Sequence, residues 1–359
     1  MLEKILTKCN HKEPLEVDEI SCLLRQQEPE AIKQIFAASR KVRQQHFQNH
    51  VYLYGFVYFS TYCQNNCSFC YYRKDNAIAP RYRKSLAEVV AVAKELKDEG
   101  VHLIDLTTGD DPYYTAHPTH LAEIIRAVKA ETGLPVMLSP GLLDRQGLQM
   151  VSEAGADWYA LYQETHNKEL FQTLRTGQSY EARIKAKQEA ARLGMLIEEG
   201  LLTGVGDTVL DRAASFREMK RLVAAQLRTM TYVPKEGGIL RDNSVAGNHQ
   251  ELINIAVMRL LFPDALIPAS LDVEGLEGLA VRLMAGANVV TSIIPPMSGC
   301  AGVANYEYGI DEGHRTVAGI QDTLKGCGLT AAEASEYVNW VETRKHTQKE
   351  YFVVREMYG

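Results

Sequence analysis

Three cysteines stand close together in the segment 61–72, and their spacing is the feature of this chain with the clearest chemical meaning. Cys63, Cys67 and Cys70 follow the pattern C-x3-C-x2-C, and the next cysteine toward the C-terminus is Cys300. Three thiolates can hold three irons of a cubane [4Fe–4S] cluster and leave the fourth iron without a protein ligand. An open coordination position is where a metal centre does chemistry, whereas a fully ligated site is structural. The spacing therefore predicts a catalytic iron–sulfur centre.

A zinc site or a disulfide framework fits these cysteines less well. Zinc requires four ligands, and the nearest histidines, His46, His50 and His102, do not stand at zinc-finger spacings. Residues 1–19 carry charges throughout and no apolar signal-peptide core, which predicts a cytoplasmic protein in which disulfides are rare. The other cysteines are scattered singly and are expected in the core or on the surface: Cys9, Cys22, Cys300 and Cys327.

The bulk composition limits the class of partner. The chain has 359 residues, of which 46% are hydrophobic and 23% are charged, as is typical of a globular protein. No apolar run approaches the ~20 residues needed to span a bilayer, so no membrane partner is expected. The net charge of −6 and the lack of a long basic cluster argue against nucleic acid. We therefore expect a small-molecule substrate.

The order of the predicted elements indicates an α/β fold. Residues 1–47 show helical periodicity and form a predicted N-terminal extension. Eight short apolar runs then alternate with helical stretches over about 250 residues, which predicts a parallel sheet closed into a complete (β/α)8 TIM barrel over 48–310. Residues 311–359 read as C-terminal helices that cover one end of the barrel. A doubly wound open sheet is the alternative, but the glycine-rich turn G-x-G-x-x-G of that fold is absent.

Polar side chains collect at the C-terminal ends of the predicted strands, where barrel enzymes carry their chemistry. They are Thr107, Thr108, Gly109, Asp110 and Asp111 after strand two, Ser139 after strand three, Gln163 and Glu164 after strand four, Glu198 and Glu199 within strand five, Arg228 within strand six, and Ser270 and Asp272 after strand seven. An acid in such a place is often only a helix N-cap. Arg228 is different, because a guanidinium inside an apolar strand needs a carboxylate or a ligand as its partner. Together these groups could bind a zwitterion, with a cation for its carboxylate and acids for its ammonium groups.

The cysteine motif, with the aromatic Phe69 before its last cysteine, resembles the signature of radical S-adenosylmethionine (SAM) enzymes. Further stretches, among them LIDLTTGDDPYY, MLSPGLLD, YALYQETH, RTMTYVPKEG and LIPASLDVEGLEG, resemble the 3-methylornithine synthase family of the pyrrolysine pathway. The resemblance extends over about 51–308. That family belongs to the subgroup that also holds biotin synthase, the hydrogenase-maturation radical enzyme and the thiazole-forming lyases.

The resemblance implies roles for named residues. Cys63, Cys67 and Cys70 would bind the [4Fe–4S] cluster, and SAM would chelate its open iron. Six positions would contact SAM: Thr108, Gly109 and Asp110, which depart from the family's common Gly-Gly-Glu, and Ser139, Glu164 and Arg183. Four positions would form the substrate pocket: Arg228 with Ser270 for the substrate carboxylate, Asp272 for the α-ammonium and Asp111 for the distal ammonium.

The implied reaction is the isomerisation of L-lysine to (2R,3R)-3-methylornithine, the first step of pyrrolysine biosynthesis. A 5′-deoxyadenosyl radical abstracts hydrogen from lysine, and the lysine radical fragments into a glycyl radical and an aminoalkene. The two fragments recombine at the other alkene carbon, and hydrogen returns from 5′-deoxyadenosine to the product radical. A one-electron reductant of the flavodoxin or ferredoxin type is implied as well. The alternative is another radical SAM enzyme of the same subgroup; a sulfur-inserting enzyme would need additional cysteines, and Cys300 and Cys327 match that poorly.

Overall fold

Eight parallel strands form the barrel that the sequence predicts. The structure, a computed structural model, describes residues 1–234, 239–240, 247–302 and 314–358, with the backbone alone for 353–358. The strands are β1 (His50–Ser60), β2 (Leu103–Thr108), β3 (Val136–Ser139), β4 (Trp158–Ala160), β5 (Leu196–Thr203), β6 (Gln226–Thr231), β7 (Pro268–Ser270) and β8 (Val289–Ile293). Their order in the sheet is β6-β5-β4-β3-β2-β1-β8-β7. Between β6 and the segment that leads into β7, the pairing is reduced to the bridge of Gln226 with Leu266, so the barrel is nearly closed.

Helices connect the strands and pack around them. They are α4 (Leu86–Glu99), α5 (Pro112–Ala116), α6 (Pro118–Thr132), α7 (Arg145–Glu153), α8 (Lys168–Leu174), α9 (Tyr180–Arg192), α10 (Val209–Arg221), α11 (His249–Leu261) and α12 (Leu279–Ala285). Ser85 caps α4 in a capping box with Glu88, and Gly100 ends the helix at φ 94°. The helices α5, α8 and α12 are short, with seven residues or fewer each.

The N-terminal segment 1–47 contains α1 (Leu2–Asn10), α2 (Val17–Leu24) and α3 (Pro29–Phe47). The third of these helices is fastened to the end of α12. Ser39 Oγ donates to Ala285 O at 2.5 Å, and Arg43 Nη1 donates to Ala287 O at 3.1 Å. The three helices thus lie against the outer helical layer, as an extension of the barrel wall. That 1–47, 48–310 and 311–359 are separate units stays a prediction.

The C-terminal segment covers the N-terminal end of the strands. It contains α13 (Val317–Gly326), the short strand β9 (Thr330–Ala331), which pairs with the start of β1, and α14 (Ala334–Tyr358). Tyr337 of α14 exchanges a hydroxyl hydrogen bond of 2.8 Å with Tyr54, and Trp340 stacks on Trp158 with ring centroids 5.9 Å apart. Because aromatic side chains close this end, a ligand must enter from the opposite end, where the cysteine loop lies. Residues 303–309, near the end of the predicted barrel segment 48–310, lie outside the described residues.

No helix in the described part of the chain combines the length and the apolar character required to cross a membrane.

Candidate active site

The loop after β1 brings the three cysteines to one cavity. Cys63, Cys67 and Cys70 all line a cavity of about 250 Å³ at the C-terminal ends of the strands. The loop is fastened by Asp110, whose main-chain oxygen accepts from Gln64 N at 2.8 Å and whose carboxylate accepts from Asn65 Nδ2, also at 2.8 Å. The loop thus brings the three thiols to the C-terminal ends of the strands, next to the segment that follows β2.

Gly109 shows how closely the two segments approach. A Cβ at this position would lie 2.2 Å from Tyr62 O and 3.0 Å from Cys63 Cβ. Gly109 N also donates to Ser60 O at 2.8 Å. Any side chain at position 109 would thus displace the backbone that carries the first cysteine.

The three thiols fit a cubane cluster better than a single metal ion. Among the described residues, no three His, Cys, Asp or Glu side chains converge as ligands of one ion. A cubane binds each thiolate through a different iron, so its ligands do not have to converge. Burial raises the pKa of the Cys63 thiol and that of the Cys70 thiol above their ordinary values, so binding iron would have to displace their protons. The described residues that line the cavity include no fourth cysteine and no histidine.

Among the described residues, Arg228 is one of three arginines that line the cavity, and its buried partner is Glu198. Arg228 Nε donates to Glu198 Oε1 at 2.8 Å, and Arg228 Nη1 donates to Thr291 Oγ1 at 3.1 Å. Glu198 also accepts from Tyr162 Oη at 2.7 Å and from Gln226 Nε2 at 2.6 Å. Burial alone would lower the pKa of Arg228, but the carboxylate of Glu198 raises it above its ordinary value. The expectation that this strand cation needs a carboxylate is confirmed.

Asp105 is an acid of the cavity that the sequence analysis missed. Its side chain is buried in the barrel interior and accepts from Thr107 Oγ1 at 3.1 Å. Burial, together with the charge of Glu198, raises the pKa of Asp105 to about 7, although Arg228 opposes the shift. The sequence could have indicated Asp105, because this acid interrupts an apolar strand in the way that Arg228 does.

Asp111 does not line the cavity, and this differs from the sequence expectation. Its fully buried carboxylate accepts from Arg83 through both oxygens, at 2.8 and 2.9 Å, and from Ser60 Oγ at 2.5 Å. Asp111 also caps α5 through Tyr113 N at 3.0 Å, with the extended backbone expected of a residue before proline. Its charge is already neutralised, so the structure gives it the role of a helix cap rather than that of a group in the cavity.

The residues expected to contact SAM line the same cavity as the three cysteines. Thr108, Gly109, Asp110, Ser139, Glu164 and Arg183 all belong to its lining. Glu164 has a left-handed backbone with φ 67°, and its carboxylate accepts from Arg175 Nη2 at 2.7 Å. Arg183 Nη2 donates to Tyr162 O at 2.6 Å. Arg175, which the sequence analysis did not select, thus fixes one of the predicted cofactor residues.

Ser270 and Asp272 enter the cavity from the end of β7. Ser270 Oγ lies 3.3 Å from Ser292 Oγ and accepts from Asp272 N at 3.2 Å. The carboxylate Oδ1 of Asp272 lies 3.4 Å from Arg315 Nη1. The structure therefore places three of the four predicted substrate residues, Arg228, Ser270 and Asp272, around one space.

The side chain of Glu199 lies on the outer side of the barrel. Adjacent strand residues face opposite sides, so that Glu198 points inward and Glu199 points toward α9. There Glu199 pairs with the fully buried Lys187, and its Oε1 accepts from Gln163 N at 2.7 Å. Burial lowers the pKa of Lys187 to about 8 although Glu199 opposes the shift. This pair fastens α9, which carries Arg183, to β5.

Comparisons with known proteins agree with this geometry. The family model of the radical SAM superfamily matches residues 57–217. The 3-methylornithine synthase of Methanosarcina barkeri is 43% identical over 320 residues, which cover 89% of this chain and 91% of that protein. The crystal structure of methylornithine synthase (PylB) superposes with a TM-score of 0.89 at 42% identity and covers 94% of this chain and 99% of that one. The [FeFe] hydrogenase maturase subunit HydE of Thermotoga maritima is less similar, at 29% identity over 71% of this chain and 74% of that protein.

The family implies a [4Fe–4S] cluster and SAM, and the three cavity thiols are the donor set that such a cluster requires. Radical SAM enzymes also depend on an external reductant. On the similarity over nine-tenths of its length, and on the cysteine loop at the mouth of a parallel barrel, the chain belongs to the 3-methylornithine synthase family of the radical SAM superfamily.

Proposed function

We propose that this protein isomerises L-lysine to (2R,3R)-3-methylornithine, the first step of pyrrolysine biosynthesis. The observation that carries the proposal is one cavity with cysteines at one side and Arg228 among buried carboxyl groups at the other. Lysine has one carboxylate and two ammonium groups, so its recognition requires one cation and at least two acids. Of the three arginines in the described cavity lining, Arg175 is paired with Glu164 and Arg183 is assigned to SAM, so Arg228 is the cation for the substrate. Asp105 and Asp272 are the acids.

In this proposal, Cys63, Cys67 and Cys70 hold the cluster by three irons. The groups that contact SAM are Thr108, Gly109, Asp110, Ser139, Glu164 and Arg183. When bound and reduced, the cluster and SAM supply a 5′-deoxyadenosyl radical that abstracts hydrogen. The carboxylate of Glu164, fixed by Arg175, is suited to accept from ribose hydroxyls, and the guanidinium of Arg183 is suited to a carboxylate.

Arg228 is oriented for the lysine carboxylate. Its Nε and Nη1 are engaged by Glu198 and Thr291, and among the described residues Nη2 has no hydrogen-bond partner. That edge of the guanidinium can therefore donate to the substrate, with Ser270 Oγ as a second donor. Asp272 would accept from the α-ammonium.

The distal ammonium group is assigned to Asp105 in place of Asp111. The carboxylate of Asp111 is occupied by Arg83 and Ser60, whereas that of Asp105 faces the cavity with Thr107 as its hydrogen-bond donor. A bound ammonium would favour the ionised form of Asp105 and so lower its pKa again.

Binding groups for both ends of the lysine molecule suit the proposed rearrangement. After the bond between the α- and β-carbons breaks, a glycyl radical and an aminoalkene must stay in place until they recombine. Arg228, Ser270 and Asp272 would retain the first fragment, and Asp105 would retain the second. Apolar side chains such as Leu201 and Met230 line the same cavity and would keep water away from the radicals.

The proposal is tested by anaerobic reconstitution of the protein with iron, sulfide, SAM and a flavodoxin- or ferredoxin-type reductant. Uniformly labelled lysine is then added, and the amino acids are separated and analysed by mass spectrometry. We expect a lysine isomer that co-elutes with 3-methylornithine, and its absence in the Cys67→Ala variant. A competent protein that cleaves SAM but leaves lysine unchanged would indicate another radical SAM enzyme of the biotin synthase, hydrogenase-maturation or tyrosine lyase subgroup.

A further inference from the structure

The sulfur of Cys67 receives hydrogen bonds from two side chains of the loop between α8 and α9. Gln178 Nε2 lies 3.0 Å from Cys67 Sγ, and Arg175 Nη1 lies 3.5 Å from the same atom. The other two sulfurs have main-chain partners among the described residues: Cys63 Sγ accepts from Asn65 N at 3.5 Å and has a second partner at Asp110, and Cys70 has a partner at Tyr72. Of these three cysteines, Cys67 alone has side-chain donors in the described part of the chain.

The orientation of the Gln178 amide follows from its surroundings. Its oxygen Oε1 lies 3.4 Å from Arg175 Nη1 and 3.4 Å from Arg183 Nη1. Two guanidinium groups can only donate, so the atom between them must be the amide oxygen and the atom facing Cys67 must be the amide nitrogen. The hydrogen bond to the sulfur is therefore of the N–H···S type.

Arg175 holds this arrangement rigid. Its Nη2 donates to Glu164 Oε1 at 2.7 Å, and its guanidinium carbon lies 5.2 Å from the ring centroid of Phe69. Arg175 itself is buried, so its charge acts on the sulfur with little screening. The donors at Cys67 are thus fixed by contacts on three sides.

Donors on a ligand sulfur withdraw negative charge from an iron–sulfur cluster. The reduced cluster carries one more negative charge than the oxidised one, so these donors stabilise it more strongly and raise the reduction potential. We propose that Gln178, supported by Arg175, is a tuning residue that raises the potential of the cluster on Cys63, Cys67 and Cys70. The inference rests on the cluster of the proposed function but not on lysine.

The test is a redox titration followed by electron paramagnetic resonance, with no SAM or lysine present. Gln178→Leu removes both the donor and the acceptor of the amide, and Gln178→Asn withdraws the donor from the sulfur while keeping an amide. Gln188→Leu is the matched control. Gln188 lines the same groove beside the cavity as Gln178, but it has no hydrogen bond to a cluster sulfur in the described residues. We expect the reduction equilibrium constant to fall about tenfold in Gln178→Leu, a shift of about −59 mV for a one-electron couple. The midpoint of Gln188→Leu should stay that of the wild type.

Two outcomes would overturn the inference. One is a wild-type midpoint in either Gln178 variant at full iron content. The other is failure of both variants to load a cluster that the control loads, since Gln178 would then hold the loop rather than tune the potential. A wild-type protein that binds no cluster would instead contradict the proposed function.

Discussion

Replacing Arg228 by methionine should affect both stability and substrate recognition, because the buried Arg228–Glu198 pair and the proposed lysine contact use different edges of one guanidinium. Arg228→Met leaves the Glu198 carboxylate buried with, among the described residues, only Tyr162 and Gln226 as donors. An uncompensated buried charge costs about 3–5 kcal/mol. We expect the free energy of unfolding to fall by about 3 kcal/mol, which is the lower end of that range. The loss is not larger because two neutral hydrogen-bond donors to Glu198 remain.

The same variant should lose lysine affinity by a comparable amount. Removing one partner of a buried charged contact costs about 2 kcal/mol or more, which corresponds to roughly a 30-fold rise in the lysine concentration at half-saturation. The assay is the rate of 3-methylornithine formation as a function of lysine concentration, with iron content and the spectrum of the reduced cluster measured on the same samples. The iron content and the cluster spectrum should be unchanged, because Arg228 contacts none of the cysteines in the described structure.

A double variant distinguishes the two effects. In Arg228→Met with Glu198→Gln, neither buried charge remains, so most of the lost stability should return, whereas lysine affinity should not. Arg259→Met is the control for a destabilising loss of a buried arginine: Arg259 donates to Ala265 O at 2.8 Å, outside the cavity lining. An Arg228→Met protein with a full cluster and an unchanged half-saturation for lysine would refute the carboxylate contact.

Three further predictions concern Asp105, Asp111 and Gly109. Asp105→Asn should raise the half-saturation for lysine about tenfold or more and should flatten the pH dependence of thermal stability; a steep dependence retained in the variant would contradict the assignment. Asp111→Ala should lower the melting temperature, because Arg83 loses its buried partner, while the preference for lysine over norleucine stays intact; loss of that preference would restore Asp111 to ammonium recognition. Gly109→Ala should lower the iron content after reconstitution, because the new Cβ would meet Tyr62 O, and full cluster loading would show that the loop can move aside.

The sign of the Asp105 effect follows from proton linkage. Its pKa in the folded protein is about 7, above the ordinary value of 3.8, so between these values the folded state binds more protons than the unfolded state. Stability therefore falls as pH rises from about 4 through 7, when substrate is absent. Melting temperatures of the wild type and of Asp105→Asn across this range measure the contribution.

The cysteine site could be predicted because its information is local. Spacing and the preceding strand determine where Cys63, Cys67 and Cys70 lie, and no distant residue has to be known. The barrel was also predictable, since eight strand–helix repeats favour closure, and the ends of the parallel strands then share one face. Arg228 followed from the cost of a charge inside an apolar strand.

The remaining parts of the site depend on orientation and on distant contacts. Asp105 and Asp111 are both acids near the end of β2, and position after a strand favoured Asp111, although the structure makes it a cap bound to Arg83. Strand alternation would have pointed to Asp105, which shares a face with Thr107. Arg175 and Gln178 carry no motif, because their contacts with Cys67 arise from the path of the loop between α8 and α9.

The most direct test of the account follows one carbon atom through the reaction. Lysine labelled with carbon-13 at its β-carbon is converted by the reconstituted protein, and the product is examined by carbon-13 magnetic resonance. If the bond between the α- and β-carbons breaks and the glycyl fragment rejoins at the other alkene carbon, the label must appear in a methyl group. A label that stays in the main carbon chain, or lysine recovered unchanged beside cleaved SAM, would contradict the account.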